Sequence, residues 1–332
     1  IRVLCFQGLA SAIKKRRGLK PNYSLFGKSG LRVKTIPIPV PWPFANIVPK
    51  RIGGSLRPSN RLGILATFAL VLYCLPIVLW SCKKQKGLSL HARSYPAGIV
   101  CALIKRIKKD ISLIFDPRSD FVEEKISAGW WTEKSNSYHF WKKLEKYIAE
   151  SSDYIICINR GYKNLFPAEI RKNKFYEIAN NVDFRSFVRS SSKRSELRER
   201  LCWNESDIVF LYAGAIGLNG WHQIWVYQKF IDLIISKVEK FKFLFLVPEG
   251  TVKLISESNK NNPSVAAISA SYKEYPSCFS AADAGLLFFQ KRKIATATKV
   301  GEYLACGLPV ICNRNALGCF FLIKEDPSLG FS

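Results

Sequence analysis

From residue 205 onward, short apolar runs alternate with segments of helical character. IVFLYAG (208–214) runs into the glycine-rich GAIGLNG (214–220) and then the helical WHQIWVYQKFIDLIISKVEK (221–240). KFLFLVPEG, SVAAISA and the helix-to-strand unit CFSAADAGLLFF follow. Consecutive apolar strands separated by helices cannot pair as hairpins. They pair in parallel, each connection crossing one face of the sheet as a helix. This β-α-β-α-β order restricts the C-terminal half to an α/β layered sheet.

The N-terminal half carries the same alternation more loosely. IRVLCF (1–6) and LRVKTIPIPV (31–40) read as strands, 62–80 as an apolar helix, and GLSLHARS as a short strand bearing His91 and Arg93. A basic helix over 96–108 leads to the strand ISLIFD, which ends at Asp116. DPRSDFVEEKISAGWW reads as a loop, followed by a helix near 137–150 and the strands DYIICIN and FYEIANNVD. Residues 184–204 are polar, Ser-rich and basic, the signature of a linker followed by a short helix. With 332 residues the chain can bury two cores, and we expect an α/β protein of two domains, 1–187 and 188–332.

Apolar residues make up 48% of the chain, which excludes a disordered protein, and the formal net charge of +26 favours anionic partners. The basic residues lie in small scattered clusters, KKRR at 14–17 and KRIKK at 105–109, without a nucleic-acid-binding signature. An anionic membrane surface is therefore expected as a partner and nucleic acid is not. The ten cysteines form no CxxC pair, which fits free thiols in a reducing compartment, and with three histidines no zinc site is expected. The run LGILATFALVLYCLPIVLW (62–80) is long enough to span a bilayer. A buried helix containing Pro76 is the leading reading, since a span would cut one domain in half; a membrane-surface helix is the alternative. The chain starts at Ile1 and contains no methionine, so it reads as truncated.

Two stretches carry chemistry. In YAGAIGLNGW, Gly214, Gly217 and Gly220 lie between a strand and a helix, where glycines let backbone amides approach a phosphate. Their spacing is not GxGxxG, which disfavours a dinucleotide dehydrogenase. In TKVGEYLACGLPVI (298–311), Glu302 is expected in the first turn of a helix, with Lys299 on the same face. A carboxylate suits the two hydroxyls of a ribose, a lysine suits a phosphate, and Gly301 permits close approach. Together they read as a nucleotide grip, although helix-dipole stabilisation alone also accounts for an acid there.

TKVGEYLACGLPVI resembles the donor-site signature K-x-x-E-Y-L-A-x-G-x-P-V-I of GT-B glycosyltransferases of the family-4-like group. Other segments resemble that group in the same order. FYEIANNVDFRSF is similar to the strand and turn that close the N-terminal domain, with Ala179 in place of the usual Pro and Asn181 in place of the Gly. SDYIICIN, CFSAADAGLLFF, LHARSYPAG and LIFDPRSD complete the likeness, which covers nearly the whole chain. The resemblance implies a GT-B fold, two Rossmann-like domains with parallel sheets facing across a cleft. It implies transfer of a sugar from a nucleotide-diphosphate sugar to a glycan or lipid-linked acceptor in surface polysaccharide or cell-envelope synthesis. Anomeric configuration would be retained, and neither metal nor cofactor would be needed. Gly214, Gly217, Lys299, Gly301 and Glu302 would bind the donor. His91, Asp116 and Arg118 would be the catalytic candidates, with Arg93 and Asn180 on the acceptor side. The expected place is cytoplasmic, peripheral at the inner membrane face. Two departures stand out. The first acid of the family's pair, eight residues before Glu302, falls at Ile294. The basic pair after the glycine turn is also missing, with Asn219 and Trp221 in that neighbourhood, so Lys299, Arg292 or Lys293 would neutralise the diphosphate. The alternatives are a degenerate, membrane-associated scaffold protein and a nucleotide-sugar 2-epimerase on the same fold.

Overall fold

The computed structural model describes residues 2–8, 32–38, 60–83, 86–127, 131–170, 174–218, 222–237, 240–290, 294 and 297–332, with side chains from Thr67 onward except those of Ser127 and Arg160. Residues 1–70 form one unit and residues 71–332 another. The first unit holds the parallel pair β1 (Arg2–Gly8) and β2 (Arg32–Ile38), in register from Arg2 opposite Arg32 to Gly8 opposite Ile38. Helix α1 (Asn60–Cys82) begins in this unit and ends in the second.

Along α1, Val71, Cys74, Val78 and Cys82 are buried, the three-to-four-residue spacing of one helix face. Phe68, Leu72 and Trp80 are exposed on another. Pro76 sits inside the helix, as the sequence indicated. Among the described residues, no helix is long and apolar enough to cross a membrane.

The second unit contains two parallel sheets. The four-stranded sheet has the order β3 (Ser89–Arg93), β4 (Ser112–Asp116), β5 (Tyr154–Cys157), β6 (Phe175–Glu177). Helices α2 (Tyr95–Ile107), α3 (Phe121–Ser127) and α4 (Asn136–Ser151) connect its strands. Gly98 lets α2 press onto its neighbours: a Cβ there would lie 3.0 Å from both Ile148 of α4 and Phe115 of β4. The α3 helix corrects the expectation of a loop over 116–131. Glu123 and Glu124 fall in its first turn, where the exposed amide ends favour acids, and the Glu124 amide donates to the Asp120 carbonyl.

The six-stranded sheet has the order β12 (Gly330–Phe331), β11 (Val310–Cys312), β10 (Ala284–Leu287), β7 (Ile208–Ala213), β8 (Phe241–Leu246), β9 (Val265–Ile268). Counted from β7, this is the doubly wound order 3-2-1-4-5-6. Its helices are α5 (Ser191–Arg200), α6 (Ile224–Ile235), α7 (Glu249–Ser258), α8 (Tyr275–Ser280), α9 (Thr298–Ala305) and α10 (Leu317–Glu325). Strand β7 shows why its sequence is apolar throughout. Val209, Leu211 and Ala213 pack with Leu197, Phe279, Val300 and Ile323 on one face, while Phe210 and Tyr212 pack with Ile224, Tyr227 and Ile255 on the other. Helix α6 is shorter than the 221–240 run suggested, and α7 takes Glu249 and Gly250 from the expected strand KFLFLVPEG and continues through residues to which the sequence reading gave no element. The cysteines whose side chains are described are free.

Candidate functional site

In a doubly wound sheet the strand order reverses between strands 1 and 4, and the crevice at their carboxyl ends is where ligands bind. Here those strands are β7 and β10. At the end of β7 the chain turns at Gly214, whose φ of +128° favours glycine. A Cβ on Gly214 would lie 2.9 Å from Lys299 Nζ, so the missing side chain makes the room in which the ammonium sits.

Helix α9 is set into this crevice by Tyr303. Its hydroxyl accepts the Ala213 amide at 2.8 Å, and its ring lies so close to β10 that a Cβ on Gly285 would come within 2.3 Å of it. With Tyr303 fixed, Lys299 points toward β7. Its Nζ stands 4.0 Å over the Tyr212 ring and 3.5 Å from His222 Nε2. The residue as a whole keeps some exposure, but its ammonium is enclosed, and this burial pushes Lys299 down to about 7, with Glu302 pulling the other way.

Glu302 is not in the first turn of its helix. The helix starts at Thr298 with Ala297 before it, so Glu302 lies in the second turn, beyond the strongest part of the helix dipole. Dipole comfort therefore loses force as an explanation of this acid. Its carboxylate accepts from the Tyr272 hydroxyl at 3.0 Å, and burial together with this bond raises Tyr272. Tyr272 is held by a capping box, in which Glu274 accepts from the Ser271 amide and hydroxyl, both at 2.7 Å.

The two glycine amides proposed for a phosphate are used within the chain. Gly214 donates to Leu246 O at 2.9 Å and Gly217 to His222 O at 3.1 Å. What Gly214 offers is space. The Gly217 carbonyl also accepts the Ile224 amide at 3.0 Å, and Gly220, Asn219 and Trp221 lie outside the described residues, as do Arg292 and Lys293. At Gly301 a Cβ would meet Val182 at 3.7 Å and the Asn180 carbonyl at 3.9 Å, ordinary contact distances. The structure thus lays Asn180, expected on the acceptor side, against α9. Ile294, where the family's first acid would stand, has its carbonyl held by the Asn159 side chain at 2.7 Å.

A second cluster gathers at the carboxyl ends of β3 and β4. His91 Nε2 lies 3.5 Å from Asp116 Oδ2 and Arg118 Nη1 4.0 Å from the same oxygen. Asp116 is buried, its Oδ1 makes no hydrogen bond among the described residues, and the exposed His91 imidazole stands at its side. Arg118 adopts a φ of +63°, which costs a non-glycine residue energy and turns its side chain back on Asp116. Arg93 pairs with Asp116 in register and is exposed.

The sequence reading passed over His222, Tyr212, Tyr272 and Asn159. His222 stands one residue beyond the stretch weighed for the missing basic pair, and the S-x-x-E at 271–274 was a readable cap that fixes Tyr272. Nothing local in the sequence marks Tyr212 or Asn159.

No family model matches the sequence, and no curated protein matches it. Solved structures do. Anabaena Alr3699/HepE in complex with UDP is 15% identical over 96% of this chain and 82% of its own, with a TM-score of 0.60. WaaG, a glycosyltransferase involved in lipopolysaccharide biosynthesis, is 12% identical over 98% of this chain and 84% of its own, with a TM-score of 0.55. The fold is GT-B. The N-terminal domain of Candida albicans trehalose-6-phosphate phosphatase, 11% identical over 100% of this chain and 78% of its own, gives a TM-score of 0.64. Proteins with differently named activities share this GT-B frame, so function rests on the side chains set in it.

Proposed function

We propose that the protein is a glycosyltransferase that takes its sugar from a nucleotide-diphosphate sugar. The observation that carries this reading is the placement of Lys299 and Glu302 at the carboxyl end of β7, where a doubly wound sheet binds its ligand. Structures of the Anabaena protein contain UDP, UDP with glucose, and UDP-glucose, which supports a nucleotide sugar as the donor class. Departure of the nucleoside diphosphate builds negative charge on its β-phosphate, and Lys299 is the fixed cation that offsets it. Glu302 exchanges the Tyr272 hydroxyl for ribose hydroxyls.

Residues 1–187 would hold the acceptor, a glycan or lipid-linked sugar, and residues 188–332 the donor. The resemblance of 298–311 to the family-4-like group favours retention of configuration. The His91–Asp116 pair favours a second reading: a carboxylate behind an exposed imidazole is the arrangement of a general base that deprotonates an acceptor hydroxyl for direct, inverting attack. The anomeric coupling constant of the isolated product decides between them. The net charge of +26 and the exposed Phe68, Leu72 and Trp80 of α1 support work at an anionic membrane face.

The test is calorimetric titration with UDP, GDP and ADP and their sugars, with Glu302→Gln alongside. Saturable binding of one nucleotide, weakened in the variant by about 1.5–3 kcal/mol, is the expected result for a lost hydrogen bond to a charged group. Undiminished affinity in a folded variant removes the ribose role from Glu302.

A further inference from the structure

The hydroxyl of Tyr272 occupies Glu302, yet much of this tyrosine is left in solvent: it is 62% exposed. Burial of the remainder and the bond to Glu302 raise Tyr272, so the phenol keeps its proton and is the donor at 3.0 Å. An exposed aromatic is ordinarily free to turn, but this one is braced. The capping box of Ser271 and Glu274 fixes its backbone. Its ring meets Phe187 edge-on, with centroids 5.6 Å apart, and leans on Tyr275 at 5.4 Å. Phe187 in turn packs on Phe279 at 5.7 Å, and Phe279 on Tyr303 at 5.3 Å. A row of rings thus joins Tyr272 to the residue that seats α9, and one packing arrangement positions Tyr272, Lys299 and Glu302 together.

These three side chains lie in an order. Lys299 stands over Tyr212, on β7; Glu302 is about one turn farther along α9; Tyr272 follows β9, two strands from β7 in the sheet. A nucleoside diphosphate carries its groups in an order too. The ribose hydroxyls sit on C2′ and C3′. These carbons are flanked by C1′, which bears the base, and by C4′, which leads to the diphosphate. Base and diphosphate therefore leave the ribose at opposite ends. With the diphosphate at Lys299 and the hydroxyls on Glu302, the base emerges on the far side of that carboxylate. A braced aromatic ring already stands there, its hydroxyl within hydrogen-bond length of Glu302.

We infer that Tyr272 is the base-stacking residue of the donor site: its hydroxyl covers Glu302 in the empty crevice, and its ring bears the nucleobase once the ribose displaces that hydroxyl. This rests on the donor reading above and deepens it. Because the ring is braced before the ligand arrives, little ordering remains to be done on binding. Stacking is open to every base, since each has a π-face, so Tyr272 governs how tightly a nucleotide is held and not which base it carries. No covalent bond changes.

The test is calorimetry on the full chain with UDP, GDP and ADP, and with the 2′,3′-dideoxy form of whichever binds. Tyr272→Ala should bind that nucleotide about tenfold more weakly than the wild type. Tyr272→Phe keeps the ring and uncovers Glu302, so it should bind as tightly as the wild type or more tightly. The dideoxy nucleotide offers Glu302 no ribose hydroxyl, and Tyr272→Ala should cost it the same factor. This last comparison separates a ring that carries the base from one that only positions Glu302. Equal losses in Tyr272→Phe and Tyr272→Ala overturn the inference, because Tyr272 then acts through its hydroxyl. A loss that vanishes with the dideoxy nucleotide overturns it as well, and so does full affinity in a folded Tyr272→Ala protein. In each of these cases a nucleotide still binds and the donor reading stands. No binding of any nucleotide by the folded wild-type protein overturns both.

Discussion

At the scale of single residues, the two glycines Gly214 and Gly301 beside the crevice are not equivalent. Gly214 has a φ of +128°, and its missing side chain leaves room for Lys299 Nζ. Gly214→Ala should therefore cost roughly 1–2 kcal/mol of stability and displace the ammonium. Gly301 has neither constraint: a Cβ there meets Val182 at 3.7 Å. Gly301→Ala should melt within a degree or two of the wild type and lose nucleotide affinity only if a ligand passes over that surface. Thermal melts beside nucleotide titrations separate the two, and a Gly301→Ala protein with full affinity removes Gly301 from the donor site. Lys299 itself makes a pH-dependent prediction. Its ordinary value is 10.5 and burial lowers it to about 7, so between these values the unfolded chain binds more protons than the folded one. Its contribution to stability thus rises as pH increases from about 7 to 10.5 and is flat outside that window. Lys299→Met should be more stable than the wild type by about 1 kcal/mol at pH 7, with the difference shrinking toward pH 10. Urea midpoints at the two pH values give the answer, and a difference independent of pH would show that Lys299 is charged in neither state or in both.

At the scale of elements, the alternation of apolar runs and helices was legible because a parallel strand buried on both faces must be apolar at every position, as β7 is. What the sequence hid were features whose cause lies far along the chain. Residues 184–204 read as a polar linker, yet Arg189, Arg194 and Arg198 converge on Asp283 at 3.7, 2.9 and 2.8 Å. Arg198 is 1% exposed and also donates to the carbonyls of Ala281, Asn204, Glu205 and Asp207. A charge run is a solvated surface until a distant acid and a ring of strand-end carbonyls claim it, and no local pattern announces that. The site was legible in the same uneven way. Lys299 and Glu302 belong to one motif, whereas Tyr303's seat depends on Gly285, eighteen positions earlier on another element, and His222 becomes visible only when β7 and α9 are side by side. Arg198→Met should cost about 1–3 kcal/mol, because it takes the guanidinium donor from four carbonyls beneath α5, while Asp283 keeps Arg194 and the Val209 amide. Chemical denaturation measures this, and a loss below 1 kcal/mol would mean that water replaces the guanidinium.

At the scale of the whole molecule, the dominant fact is a net charge of +26 carried by 51 basic and 25 acidic residues. Like charges spread over one body repel, and the repulsion is weakest in the unfolded chain, where they are farthest apart. At about 0.01 M salt the screening length is about 30 Å, comparable with a domain; at about 0.15 M it falls to about 8 Å. Raising salt between these limits should therefore increase the melting temperature by a few degrees. The same screening should weaken adhesion to vesicles of anionic lipid far more than binding of a nucleotide sugar. The vesicle contact draws on many exposed charges, whereas on the proposed reading the diphosphate would meet the enclosed Lys299 over the Tyr212 ring, which salt screens less. Co-sedimentation with anionic vesicles and nucleotide calorimetry, both run across this salt range, test the pair of expectations together. A melting temperature that falls with salt would mean that ion pairs such as those on Asp283 outweigh the global repulsion. Nucleotide affinity that falls as steeply as vesicle binding would place the diphosphate on the open basic surface instead of in the crevice between β7 and α9.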